Sequence, residues 1–211
     1  MPTKAKLYFM SISHYCVSAE RMLAFKGIDF DLIPTPYHDR QELIRSTGQD
    51  YVPTLKWNGK AIMWYDIPDF LEKKKPTPSL YPDGERGLAV ALENWGHQVL
   101  EERVWRAVVT KVPAILGSDE ERWVFEEMQT RARGPWHILE SRQEEFRKDM
   151  TTYLGMVDSM LEGRDWILGK PSLADFGVYG SLSPLWTVGE KIPKEDPRLA
   201  KWVKRIQAIG N

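Results

Sequence analysis

Hydrophobic positions along this chain change their rhythm near residue 76. Before it, short apolar blocks of strand length alternate with helical patterns. After it, apolar residues recur only at helical spacing. Lys6 to Met10 (KLYFM) reads as a buried strand, Val17 to Lys26 as a helix stopped by Gly27, and Phe30 to Pro34 (FDLIP) as a second strand. HDRQELIRSTG predicts a short helix ending at Gly48. In VPTLKWNGKAIM, apolar residues flank Asn58-Gly59, a pair that favours the tight turn of a hairpin. IPDFLEKKK predicts one more helix. Two strands joined by a helix run parallel, and a hairpin is antiparallel. The order therefore describes a small mixed sheet with helices on both faces.

PTPSLYPDGERG, residues 76–87, concentrates proline and glycine and reads as a linker. It separates an α/β domain (1–75) from an all-helical domain (88–211). From Leu88 onward apolar residues fall at Ala91, Leu92, Trp95, Val99, Trp105, Val108, Val109 and Val112. Phe146, Met150, Tyr153, Leu154, Val157 and Leu161 form a cleaner helical face. Gly134-Pro135 interrupts the helix before it. Ser172-Leu173-Ala174-Asp175 has the form of a capping box that opens another helix. Asp196-Pro197 predicts the start of the last helix, with Asp196 as its cap. No internal repeat is visible.

Composition narrows the function classes. The 211 residues include 29 basic and 30 acidic ones, a balance that argues against a nucleic-acid partner. No apolar run approaches the length of a membrane span, and no signal-peptide pattern follows the N-terminal lysines. A cytoplasmic protein without a membrane partner is expected. The single cysteine cannot form an internal disulfide. The four histidines stand far apart without a partner at ligand spacing, so no metal site is expected.

The candidate chemistry lies between the first strand and the first helix, in SISHYCVS. A helix N-terminus carries partial positive charge and unpaired N–H groups, and it stabilises a thiolate placed there. Ser13 stands three residues before Cys16, like a two-cysteine redox motif whose exposed member is a serine. Such a loop cannot cycle an internal dithiol, but it can hold a thiol carried by another molecule. Cys16 itself reads first as a small buried side chain. The second feature is Val52-Pro53. A cis peptide there would turn the Val52 backbone groups outward for pairing with an extended peptide, whereas a trans peptide would make it an ordinary strand start.

Together these residues resemble the glutathione transferase superfamily over nearly the whole chain. The resemblance is carried by KLYF with the loop serine and KGIDFD, by YVPTL, by IPDFLE and, most specifically, by WILGKPSLADFGVYGSL. It implies a thioredoxin-like N-terminal domain joined to an all-α helical-bundle domain, with glutathione as co-substrate and a homodimeric assembly. In the serine-type classes, the serine that activates the thiol lies thirteen residues before the lysine of a Lys-Gly pair. Ser13 has this spacing to Lys26-Gly27, and Tyr8 is the second choice. Cys16 matches the resolving position rather than the catalytic cysteine of the glutaredoxin kind. The resemblance implies Val52, Pro53, Trp64, Tyr65 and Asp66 as glutathione-binding positions. Where the family has an acidic residue followed by serine, this chain has Met63-Trp64. Backbone N–H groups of Trp64 and Tyr65, or the carboxylate of Asp66, would have to serve instead.

The resulting expectation is an enzyme that activates the glutathione thiol for attack on a small apolar or aromatic electrophile. The reaction would be conjugation, dehalogenation, ether cleavage or isomerisation. The alternative is a non-catalytic binding or assembly module of the same fold, or one with a ligand other than glutathione.

Overall fold

The structure, a computed structural model, describes residues 4–210. Strand β1 (Ala5–Phe9) is followed by α1 (His14–Phe25), β2 (Phe30–Pro34), α2 (Gln41–Thr47), β3 (Thr54–Trp57), β4 (Lys60–Met63) and α3 (Ile67–Lys74). The sheet order is β2-β1-β3-β4. β2 runs parallel to β1, and β3 runs antiparallel to both β1 and β4. This is the mixed sheet expected from the pattern. Helices cover both faces, so Leu7 and Tyr8, which point to opposite sides of β1, are both buried. The hairpin turn has positive φ at Asn58 (47°) and Gly59 (80°), as a two-residue turn of this hand requires.

The helical part comprises α4 (Arg86–Trp95), α5 (Glu101–Val108), α6 (Asp119–Arg133), α7 (Trp136–Ser141), α8 (Gln143–Met160), α9 (Leu173–Thr187) and α10 (Pro197–Gln207). A π-type turn, Gly96–Leu100, joins α4 to α5 within one continuous helical path. α9 is the buried axis of the molecule: Leu173 through Leu185 are all buried. Its small residues let α1 and α4 approach closely. Phe25 of α1 meets Phe176 of α9 with ring centroids 5.1 Å apart.

Three local details differ from the sequence expectation. α1 begins at His14, three residues earlier than predicted, because Ser13 takes the N-cap. Asp175 reaches back to the Ser172 N–H (3.0 Å) as expected, but it also receives the Ile167 N–H (2.9 Å) and the Trp202 indole (2.8 Å). Asp196 does not cap α10. The Asp158 carboxylate of α8 accepts the Leu199 N–H at 2.8 Å instead, and Asp196 Oδ2 has no hydrogen-bond partner among the described residues.

Candidate functional site

Strand register brings the candidate residues to one end of the sheet. Tyr8 of β1 pairs with Thr54, and Thr54 pairs with Met63. The loop leaving β1, the Val52-Pro53 segment and Trp64 therefore emerge side by side. The Val52-Pro53 peptide is cis. Trp64–Asp66 forms a single tight turn that leads into α3, with Tyr65 and Asp66 exposed.

Ser13 is half-buried in an extended conformation, and its Oγ accepts the Cys16 N–H at 3.4 Å. No acidic residue belongs to the first turn of α1, so the helix does not offset its own positive end. The Ser13 hydroxyl also contacts the Cys16 sulfur and opposes the rise that burial imposes on that thiol. Cys16 has the opposite character. It is fully buried, its sulfur accepts the Met10 N–H at 3.4 Å, and burial pushes its thiol up to about 12. The thiolate stabilisation that a helix start can offer is outweighed here by desolvation.

Tyr8 faces away from this loop. Its hydroxyl donates to Ser46 Oγ at 2.5 Å, and Lys56 Nζ donates to the same oxygen at 2.9 Å. The structure thus turns the Tyr8 hydroxyl toward a half-buried serine of α2 rather than toward the loop of Ser13.

Beside the loop lies an open groove of about 440 Å³, lined by Phe9, Met10, Ile12, Leu32, Pro34 and Leu116. Glu121 of α6 ties its rim together. One carboxylate oxygen accepts the Tyr37 N–H of the β2–α2 loop and the other accepts the Gly117 N–H, both at 3.0 Å. A groove with this lining accommodates a small apolar molecule beside Ser11 and Ile12 of the loop.

The position implied for an acid-serine pair is filled by aromatic packing. Trp64 lies 4.3 Å from Tyr15 of α1, and Tyr15 lies 4.3 Å from His97 and 4.0 Å from His14, ring centroid to centroid. This stack leads into a buried polar cluster between the sheet domain and the helices. His14 Nδ1 lies 3.5 Å from Glu101, whose carboxylate accepts Arg133 Nη2 at 3.1 Å. Arg133 Nε is 3.0 Å from Glu102 but misaligned for a hydrogen bond, and His14 Nε2 has no hydrogen-bond partner among the described residues. His97 Nε2 is 3.9 Å from Glu93.

Burial dominates the protonation of this cluster. It pushes Glu93 up to about 7, helped by the charge of Asp69. It pushes Glu101 up to about 7 against the opposing pull of Arg133. His97 is pushed down to about 3, and His14 is held well below its usual range by burial, then by His97 and Arg133. Near neutral pH both imidazoles are uncharged. None of these residues was singled out from the sequence for this cluster. The available signal was the four-residue spacing of Glu93, His97 and Glu101, which aligns them along one path of α4, the π-type turn and α5. Among the described residues no group of His, Cys, Asp or Glu side chains could hold a metal ion. Among the same residues no helix is long and apolar enough to cross a membrane.

Comparison with known proteins bears on the whole arrangement. Residues 7–79 match the family model of the glutathione S-transferase N-terminal domain. A glutathione transferase from Phanerochaete chrysosporium has a similar structure, with a TM-score of 0.83 and 16% identity over 99% of this chain and 98% of that one. A glutathione S-transferase of Ceriporiopsis subvermispora, solved in complex with glutathione, gives a TM-score of 0.80 and 18% identity over 97% of each chain. Glutaredoxin 2 from Salmonella typhimurium, also in complex with glutathione, gives 0.78 and 18% identity over 99% of this chain and 97% of that one. No curated protein matches the sequence.

Proposed function

We propose that this chain, whose residues 7–79 match the model of the glutathione S-transferase N-terminal domain, binds glutathione and activates its thiol. The observation that carries the reading is Ser13. Its oxygen accepts the Cys16 N–H, and its O–H, which also contacts the Cys16 sulfur, would turn to donate to a bound sulfur anion at the start of α1. Hydrogen bonding and the helix dipole both favour the thiolate over the thiol. The thiol proton goes to solvent, the sulfur forms a bond to the electrophilic atom, and the leaving group departs with the bonding pair. The groove lined by Phe9, Met10, Ile12 and Leu116 borders the same loop and suits a small apolar or aromatic electrophile. Proximity and a desolvated nucleophile supply the rate enhancement. Cys16 takes no part, since a thiol pushed up to about 12 stays protonated. The reading includes a homodimer in the cytoplasm.

One observation favours a second reading, a binding module without glutathione chemistry. Trp64 rests on Tyr15 at 4.3 Å where the family resemblance implies polar contacts. Calorimetric titration with glutathione at neutral pH separates the two. Binding in the micromolar to millimolar range supports the enzyme. Absence of heat at roughly 10 mM, where even a weak site of about −3 kcal/mol would half-fill, assigns the fold to another ligand.

A further inference from the structure

Where the chain leaves α8 it meets α10 around an open cleft of about 350 Å³. Arg198, Lys201 and Arg205 line this cleft from positions i, i+3 and i+7 of α10, a spacing that puts them on one helix face. Arg164 of the α8–α9 connection joins them, and Asp165 is the one acidic residue of the lining. α10 itself contains no acidic residue. Three of the four cations are held in place by the protein. Arg198 Nε donates to Asp158 at 2.7 Å, and its Nη1 lies 3.5 Å from Glu162. Asp158 is buried and also accepts the Leu199 N–H, so the start of α10 fixes it. Arg205 donates to the Asp165 carbonyl and carboxylate, both at 2.6 Å, and lies over the Trp166 ring at 5.5 Å. Arg164 Nη1 donates to the Ile167 carbonyl at 3.2 Å. Among the described residues no carboxylate comes within 4.0 Å of the charged nitrogens of Arg164 or Lys201, and Lys201 makes no hydrogen bond through its ammonium.

We propose that this cleft binds the phosphoryl group of a small anion, either inorganic phosphate or a phosphomonoester. Guanidinium forks match pairs of phosphate oxygens, and an ammonium adds a compact point charge. Asp158, Glu162 and Asp165 engage Arg198 and Arg205, which leaves the positive excess of the cleft at Arg164 and Lys201. Because the guanidiniums are already anchored, a phosphoryl group pays little to order them. Leu161 and Trp202, also in the lining, offer an apolar surface to the stem of an organic ester. The near balance of charge over the whole chain favours a small anion over an extended nucleic acid. The cleft shares no lining residue with the Ser13 loop or its apolar groove, so this inference goes beyond the thiol chemistry and does not require it.

The test is calorimetric titration of the full chain with sodium phosphate and with phenyl phosphate. It is run at about pH 8 in about 0.15 M sodium chloride, which screens scattered surface charges. At least one of the two should bind with a Kd of about 1 mM or tighter. Lys201→Gln, which breaks no contact within the protein, should weaken that binding roughly tenfold, the scale of a lost charge-assisted contact. Arg164→Gln should weaken it at least as much. The control is Lys148→Gln, which takes the same charge from another arginine-lined cavity, where Arg103, Arg106 and Arg142 are each paired with a carboxylate. It should leave binding unchanged. Phenyl phosphate binding roughly tenfold tighter than phosphate identifies an organic phosphomonoester as the occupant, and equal or weaker binding identifies the free ion. Absence of heat with both anions at roughly 10 mM overturns the site. So does binding that neither Lys201→Gln nor Arg164→Gln weakens, or that Lys148→Gln weakens equally, because the anion then answers to surface charge and not to this cleft.

Discussion

Gly180 of α9 lies so close to Ser18 of α1 that a Cβ at Gly180 would fall 2.0 Å from the Ser18 hydroxyl and 2.5 Å from the His14 carbonyl. A side chain can rotate away from such a clash, but the His14 carbonyl is backbone and cannot. The helix carrying the Ser13 cap therefore rests against α9 only because residue 180 has no Cβ.

Gly180→Ala should destabilise the protein by about 1–3 kcal/mol, the cost of overpacking, even though alanine favours an isolated helix by about 1 kcal/mol. The sign of the change in a urea titration is the test. Adding Ser18→Ala should recover only part of the loss, because the backbone contact remains. A neutral or stabilising Gly180→Ala would show that α1 and α9 are not held this tightly.

The hydrophobic rhythm and turn residues made most of this architecture legible. Asn58-Gly59, Gly27 and Gly134-Pro135 each mark a boundary that the structure reproduces, since their backbone preferences are local. Caps were less legible, because a cap is a competition between nearby acceptors. Asp196 had the right residue type in the right place, yet Asp158, 38 positions earlier, takes the α10 N–H. Ser13 and the Val52-Pro53 segment could be marked as site candidates. The packing of Trp64 on Tyr15 and the Glu93–His97–Glu101 cluster could not, because both depend on how the sheet domain docks on the helices. The low helical propensity of GHQVL gives no warning of its π-type turn either.

Lys26 illustrates the same limit. In the sequence Lys26-Gly27 marked a helix end and the spacing to Ser13, but nothing there showed that the Lys26 ammonium is fully buried. It donates to Glu72 at 2.6 Å and to the carbonyls of Lys75 and Pro78 at 2.8 and 2.6 Å. Lys26→Met should cost about 3 kcal/mol, because it leaves two carbonyls without this donor and takes the cation from a half-buried carboxylate that keeps only the Ser79 hydroxyl and the Leu80 N–H. Burial opposes ionisation of Glu72, but the Leu80 N–H and Lys26 outweigh it and hold the carboxyl below its ordinary 4.5. A lowered carboxylate stabilises the fold above pH 4.5, and this is lost as pH falls through its folded pKa. The acid limb of the stability profile should accordingly shrink in Lys26→Met. An unchanged profile together with unchanged stability would refute the role.

Glu93 and His97 predict a compensation. Glu93 titrates near 7 in the fold against an ordinary 4.5, so the folded state holds an extra proton between these values and gains stability as pH falls. His97 titrates near 3 against an ordinary 6.5, so the unfolded state holds the extra proton and stability is lost as pH falls. Between about pH 4.5 and 6.5 the two slopes cancel. His97→Asn should unmask the glutamate, with stability rising by up to about 1.4 kcal/mol per pH unit on acidification through that window, less whatever water penetration relieves. Chemical denaturation at pH 4.5, 5.5 and 6.5 would measure it. A profile as flat as that of the unmodified protein would mean that the pair does not share this buried environment.

Ser13 has two separable tasks, capping α1 and donating to a thiolate, and a variant series distinguishes them. Ser13→Ala removes both, so it should cost about 1 kcal/mol of stability and lower turnover of an activated chloroarene about 100-fold. Glutathione affinity should stay nearly unchanged, since the ground-state thiol gains little from the hydroxyl. Ser13→Thr keeps both the acceptor and the O–H and should retain most of both properties. Ser13→Asp caps at least as well, because a carboxylate suits the helix start, but it sets a negative charge against the thiolate and donates nothing. Its stability should match or exceed that of the unmodified protein, while its turnover falls at least as far as that of Ser13→Ala. Tyr8→Phe should lose the Ser46 contact and some stability without slowing turnover, because its hydroxyl points toward α2. Full activity in both Ser13→Ala and Ser13→Asp would remove Ser13 from the chemistry and leave it as a helix cap. A collapse confined to Tyr8→Phe would move the chemistry to a residue that the fold keeps on the α2 side of the sheet.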